Sequence, residues 1–287
     1  MIQQAVPTRA TKGGLLFLSS TAVIWLLLGL IGAGTFTACS EFNRALKSDS
    51  LEYKMAVAEK YYDKGSYDRA IPLLEELIML KRGTAASERI NYLHAKAHFL
   101  MKDYVMAAYY LENYARTFPT AQYTEECTFL NAYCYYKNSP AYELDQADTR
   151  TAIDQLQLFM VRYPTTILKD SCNTLIERLR IKLEVKSYHA AEQYFHMRNF
   201  QGASMAFKDF LRAYPNSDYR EDAMMRVLRS DHQVAMNSVE KRKVERLQEA
   251  MRSYRNFADA YPQGVERDVA DRLNEELKSE LDRVTKE

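Results

Sequence analysis

Four prolines, Pro119, Pro164, Pro215 and Pro262, follow one another at spacings of 45, 51 and 47 residues, and the residues ahead of each repeat a pattern. Twelve before each stands Ala107, Ala152, Ala203 or Ala250; eight before, Leu111, Leu156, Phe207 or Tyr254. Five before come Tyr114, Phe159, Phe210 and Phe257, and one before come Phe118, Tyr163, Tyr214 and Tyr261. These offsets share one face of a 3.6-residue helix. Each proline therefore closes an amphipathic helix that it cannot continue, lacking the N–H that the next turn needs. A fifth copy without proline, anchored on Arg82, places Ala70, Leu74, Leu77 and Lys81 at the same offsets. A register kept five times predicts an array of repeated helices whose core lies between neighbours.

Each of these helices has a partner ahead of it. Fifteen residues before the anchor stands Tyr67, Tyr104 or Phe200, and twenty-four before it Ala58, Ala95 or Ala191. The turns between the two helices read "DKGSYDRA", "MKDYVMAA" and "HMRNFQGA", with Gly65 where a left-handed cap is wanted. The combination resembles the tetratricopeptide (TPR) pattern, although these units exceed 34 residues and the sole tryptophan, Trp25, lies outside them. The expected fold is all-α, a TPR-like α-solenoid of about five helix-turn-helix units at about 51–82, 83–119, 120–164, 167–215 and 217–262, with a closing helix over 265–285. The third unit carries an insertion, "YKNSPAYELDQADTR", broken at Asn138, Ser139 and Pro140, with Asp145 or Asp148 to cap the next helix. Residues 167–197 contain no Gly or Pro, which predicts one long helix or two nearly collinear ones. After Pro215, Asn216 or Ser217 is the expected cap.

The first segment is of another kind. Arg9 and Lys12 precede an apolar run from Leu15 to about Gly34, followed by "FTACS". That order is a secretory signal, 1–38, and Thr37-Ala38-Cys39 resembles the lipobox of bacterial lipoproteins, with Phe36 as a departure. The resemblance implies cleavage before Cys39, a diacylglycerol and an N-acyl chain on that residue, and a tether over 39–50. The same run approaches the ~20 residues of an uncleaved membrane anchor, the other reading of it. More than one acyl chain holds a protein on a membrane stably where one does not. Ser40 fits outer-membrane sorting.

Removing 1–38 takes two positive charges from 39 Lys and Arg, leaving 37 against 38 Asp and Glu. A balance near −1 lacks the basic face that nucleic-acid binding needs. Cys127, Cys134 and Cys172 are an odd set and read as small buried residues. "HAKAH" puts His94 and His98 four apart, a spacing that can share a metal. It lacks a glutamate at its second place, and both histidines fall at packing positions, so no metal site and no cofactor are expected. Carboxylate pairs such as Glu75-Glu76 sit on predicted helices as solvated faces, the glycines form no phosphate loop, and no catalytic constellation emerges.

First helices of a TPR array line a concave face that takes extended peptides or helices. Counting from the anchors places Glu59, Tyr62 and Asp63 there in unit one, Tyr92, Lys96 and Phe99 in unit two, and Tyr188, Glu192 and Phe195 in unit four. Lipobox, five units, "EKYYDKGSYDRAIPLLEEL", "YPNSDYREDA" and "SPAYELDQADTRTAIDQLQLFMVRYP" together resemble the BamD family, lipoproteins of the outer-membrane β-barrel assembly machinery. The resemblance covers about residues 50–280. It implies a lipid-anchored protein on the periplasmic face of the outer membrane, whose first units receive unfolded outer-membrane proteins and whose last units dock the barrel-forming insertase. The first six face residues would then lie in the peptide-binding half, and Tyr188, Glu192 and Phe195 in the docking half. The alternative is a TPR lipoprotein that adapts or regulates peptidoglycan enzymes.

Overall fold

The computed structural model describes residues 41–286, so the signal segment and Cys39 lie outside the described residues. Every regular element described is an α-helix. Helical residues 41–46 lead into α1 (Leu51–Asp63), α2 (Tyr67–Leu80), α3 (Ser87–Leu100), α4 (Tyr104–Thr117), α5 (Thr124–Asn138) and α6 (Ala147–Arg162). There follow α7 (Lys169–His196), α8 (Phe200–Ala213), α9 (Arg220–Met236), α10 (Glu240–Ala260) and α11 (Arg267–Lys286). Among these residues no helix is long and apolar enough to cross a membrane. They form two compact units, one ending at Lys102 and one beginning at Asp103, a division that falls inside the expected repeat 83–119.

In the first unit α2 packs on both α1 and α3. Val57, Ala58 and Tyr61 meet Ala70, Leu73, Leu74, Leu77 and Ile90 in its core. Ser50 caps α1 by accepting the Tyr53 N–H at 3.3 Å. The polar tether expected over 39–50 is, from Glu41 to Leu46, part of this fold instead. Ala45 is fully buried, Phe42 meets Tyr61 edge-on at 6.0 Å, and Lys60 pairs with Glu41 at 2.8 Å. Phe42, Ala45 and Leu46 share a helix face, but one turn of such spacing is too short to stand out in a sequence.

The second unit shows why the proline register works. Helices α4, α6, α8 and α10 stop at Thr117, Arg162, Ala213 and Ala260, and the residue before each proline leaves the helix. Phe118, Tyr163, Tyr214 and Tyr261 have φ of −124, −123, −128 and −132° with ψ of 63, 71, 69 and 68°. The proline ring excludes the α region for its predecessor. Each of these four still donates its N–H to the carbonyl four residues back, on Tyr114, Phe159, Phe210 or Phe257. Its ring lies 5.2 to 5.8 Å from the ring of that same residue. The chain turns as Ala121, Thr166, Ser217 and Gly264 donate back to the carbonyls of Phe118, Tyr163, Tyr214 and Tyr261, and helices restart at Thr124, Lys169, Arg220 and Arg267, five residues past each proline.

The alanines of the register, Ala107, Ala152, Ala203 and Ala250, are fully buried, as is Ala70 in the first unit. The residues one before each proline are half-buried, and of the places twelve, eight and five before only Tyr254 is, its hydroxyl donating to Asp271 at 2.7 Å. Consecutive helices pack throughout the unit, and α9 also touches α7 and α11, so alternate helices stack as in a TPR-like array. Cys127, Cys134 and Cys172 are buried, and burial pushes the Cys134 thiol up to about 12.

Three local details differ from expectation or decide between alternatives. The region 167–197 holds one helix, α7, of 28 residues. Its Lys182 donates to the Ser139 hydroxyl at 2.6 Å and Lys186 to the Leu144 carbonyl at 2.9 Å, pinning the insertion against it. Of the two expected caps Asp145 serves, its carboxylate accepting the N–H of Ala147, the first residue of α6, at 2.8 Å, while Gln146 occupies the N-cap position and its amide donates to the Ala141 and Leu144 carbonyls. Ser217 accepts from Tyr219 at 3.0 Å one turn before α9 begins, so it shapes the turn and does not cap the helix.

Short turns join the hairpins. Gly65 is left-handed (φ 74°), its N–H and that of Ser66 reaching the Tyr62 and Tyr61 carbonyls at 2.9 Å. Arg198 takes the same place between α7 and α8 with φ 58°, a conformation that costs a residue with a Cβ about 1–2 kcal/mol.

A buried polar node joins α8, α9 and α10. Asp231, on α9 and 7% exposed, accepts from Ser204 of α8 and from Ser253 of α10, the latter at 2.7 Å, and pairs with Lys208 at 3.0 Å.

Candidate functional site

In the first unit the face expected to take a peptide is built on α1 and α3. Glu59 and Asp63 lie four apart on α1 with Tyr62 between them, and Arg89 of α3 reaches Glu59 at 2.8 Å. Tyr62 meets Tyr67 edge-on at 5.4 Å. Both Tyr62 and Tyr92 are half-buried at the rim of the core, whereas Asp63 is exposed. On α3 the Lys96 ammonium sits 6.0 Å from the Tyr92 ring centre and 5.9 Å from that of Phe99. Such cation–π contacts contribute roughly 0.5–1 kcal/mol each when exposed, and they hold the lysine over the aromatic surface. The result is rigid aromatic area with single charges of both signs along two helices, the surface chemistry enriched where proteins bind peptides.

Beside it, α2 and α3 bring Glu75, His94 and His98 together. His94 and His98 are 2% and 9% exposed, with ring centres 4.9 Å apart, and His94 Nε2 lies 3.6 Å from Glu75 Oε1. Burial, and then the neighbouring His98, push His94 down to about 4. It is therefore a neutral imidazole at ordinary pH.

In the second unit α7 carries Tyr188, Glu192 and Phe195, and the structure treats the three differently. Tyr188 is 5% exposed: it stacks on Tyr219 at 4.3 Å and meets Phe207 and Phe210 at 5.8 and 5.6 Å. Its hydroxyl donates to Asp222, and burial followed by that carboxylate raises its pKa. It thus packs α7 onto α8 and α9. Glu192 pairs inside the protein with Arg226 at 3.0 Å and with His189 at 2.9 Å. Arg226 also holds Asp222 at 2.7 Å and lies over Phe195 at 5.4 Å, so it organises all three positions. No periodicity marks Arg226 in the sequence. Phe195 lines an open cavity of about 580 Å³ with Phe200, Val269 and Leu273, and Arg198, Arg229 and the buried His232 also face it.

The family of YfiO outer membrane lipoproteins matches residues 47–247, most of both units. The chain belongs to that family. Among curated relatives of this YfiO-family chain is the outer membrane protein assembly factor BamD of Caulobacter vibrioides, 21% identical over 222 residues that cover 75% of this chain and 73% of the relative. Among solved structures, the TPR2AB domain of yeast Sti1, in a complex with pHSP90, aligns with a TM-score of 0.37 at 13% identity, covering 79% of this chain and 98% of that one. The TPR domain of P58(IPK) aligns with a TM-score of 0.39 at 12% identity, covering 84% and 66%. Neither likeness is close enough to bear on function.

Proposed function

We propose that this chain is a scaffold and substrate receptor in the assembly of β-barrel proteins into the outer membrane. The observation that carries the reading is its similarity to an outer membrane protein assembly factor along three-quarters of its length. In this reading Cys39 bears the diacylglycerol and N-acyl chain that hold the protein at the periplasmic face of the outer membrane. The protein acts by binding, not by catalysis. The α1/α3 face of Glu59, Tyr62, Asp63, Tyr92, Lys96 and Phe99 receives extended segments of unfolded outer-membrane proteins. Aromatic side chains supply contact area at low entropic cost, and Lys96 supplies a counter-charge.

The barrel-forming insertase docks on the second unit. With Tyr188 buried and Glu192 paired internally, the docking surface there is Phe195 and the cavity beside it, apolar side chains with Arg198 and Arg229 among them. Purification of the chain from detergent-solubilised envelopes, followed by mass spectrometry, tests the reading. We expect an outer-membrane barrel insertase among the recovered proteins. Recovery of peptidoglycan synthases without any barrel protein would support the adaptor alternative and overturn this one.

A further inference from the structure

We propose that Glu75, His94 and His98 form a binding site for a divalent borderline transition cation, zinc above all, that clamps α2 to α3. The sequence shows only half of it. Histidines four apart on a helix lie on one face a single turn apart, which lets two imidazoles share an ion, but the motif supplies no third ligand. The fold supplies it: Glu75 comes from the preceding helix, and one donor atom from each of the three side chains lies within 4.8 Å of the other two. In a tetrahedral zinc site with bonds of 2.0–2.1 Å the donors stand about 3.3 Å apart, so the triangle must contract by roughly 1.5 Å at most. His94 Nε2 and Glu75 Oε1, 3.6 Å apart, already stand near that spacing, and the Glu75 side chain, 52% exposed against 2% for His94, has room to adjust; the remaining contraction involves His98.

The donor set also indicates the ion. Two imidazole nitrogens and one carboxylate oxygen suit zinc, or copper and nickel, and not magnesium or calcium, which take oxygen ligands. Three protein ligands leave a fourth position for water at the exposed side, next to Glu75. An ion there joins two helices otherwise held by apolar packing, and α3 carries Tyr92, Lys96 and Phe99 on neighbouring turns. Binding therefore stiffens the helix that presents those side chains. Zinc binding at this place does not depend on the proposed function.

The test uses the full chain without a histidine tag, purified in detergent, stripped with chelator and dialysed against zinc, with metal content and calorimetry as readouts. We expect one equivalent of zinc, a cobalt form with the visible bands of a four-coordinate ion, and a melting temperature raised by about 5–10 °C at a hundredfold excess over Kd. Glu75→Gln, an exposed change that leaves the fold intact, should weaken binding by about tenfold or more, and H94N/H98N should abolish it. H189N/H196N removes the second histidine pair, which flanks Glu192 on α7, and should leave binding unchanged. Zinc kept by H94N/H98N but lost in H189N/H196N would overturn the proposal. So would a parent chain that takes up no zinc at concentrations of tens of micromolar, or a Glu75→Gln variant that binds as tightly as the parent.

Discussion

Phe210→Ala should lower the unfolding free energy of the unit that begins at Asp103 by about 3–5 kcal/mol, the usual cost of emptying a fully buried aromatic site. Phe210 is 1% exposed, meets Tyr188 at 5.6 Å and Tyr214 at 5.4 Å, and its carbonyl accepts the N–H that ends α8. The cavity would open where α7, α8 and α9 converge, and the helices on either side cannot close it without moving the proline turn at the end of α8. Repeat arrays lose stability locally before they lose it globally, so urea unfolding followed by circular dichroism should be read beside amide hydrogen exchange. Protection should fall first in α7, α8 and α9. A loss below about 1 kcal/mol would mean that the aromatic pair at the helix exit does not hold the seam.

The second large effect is electrostatic. Asp231→Ala should cost about 2–4 kcal/mol, because it leaves Ser204 and Ser253 without their acceptor in a buried place and removes one partner of Lys208. The figure sits below that for a fully buried ion pair, since the Lys208 side chain is 37% exposed and keeps Glu249 at 3.0 Å. Asp231→Asn retains an acceptor and should cost clearly less. Thermal melts of the two variants against the parent measure the difference. An alanine variant as stable as the parent would show that the node does not hold α8, α9 and α10 together.

Legibility in the sequence tracks the range of the physics. The stop at each Tyr-Pro or Phe-Pro is a clash between adjacent residues, so four helix ends could be read directly, and the buried alanines came with the helical period. Caps were harder: Gln146 holds the start of α6 through carbonyls of the preceding insertion, a geometry that only the folded loop defines. The candidate faces were legible as register but not as environment. Counting placed Tyr188 on a first-helix face, yet its neighbour Tyr219 comes from the start of α9 and closes over it. Arg226, which ties Glu192 to Phe195, and Glu75, which completes the His94 and His98 pair, act across helices, and no local pattern announces them. The helical turn at 41–46 escaped because three apolar residues in a polar stretch do not make a period.

Photo-crosslinking in living cells shows whether the α1/α3 face receives unfolded outer-membrane proteins, as proposed. A benzoylphenylalanine at Tyr62, with Leu158 of α6 as the control position, 58% exposed in the other unit, would report what lies against each surface. We expect crosslinks from Tyr62 to outer-membrane proteins that have not yet folded, increasing when the insertase is depleted, and none of these from Leu158. Crosslinks from Tyr62 to peptidoglycan enzymes alone, or the same unfolded proteins captured equally from Leu158, would contradict the proposal.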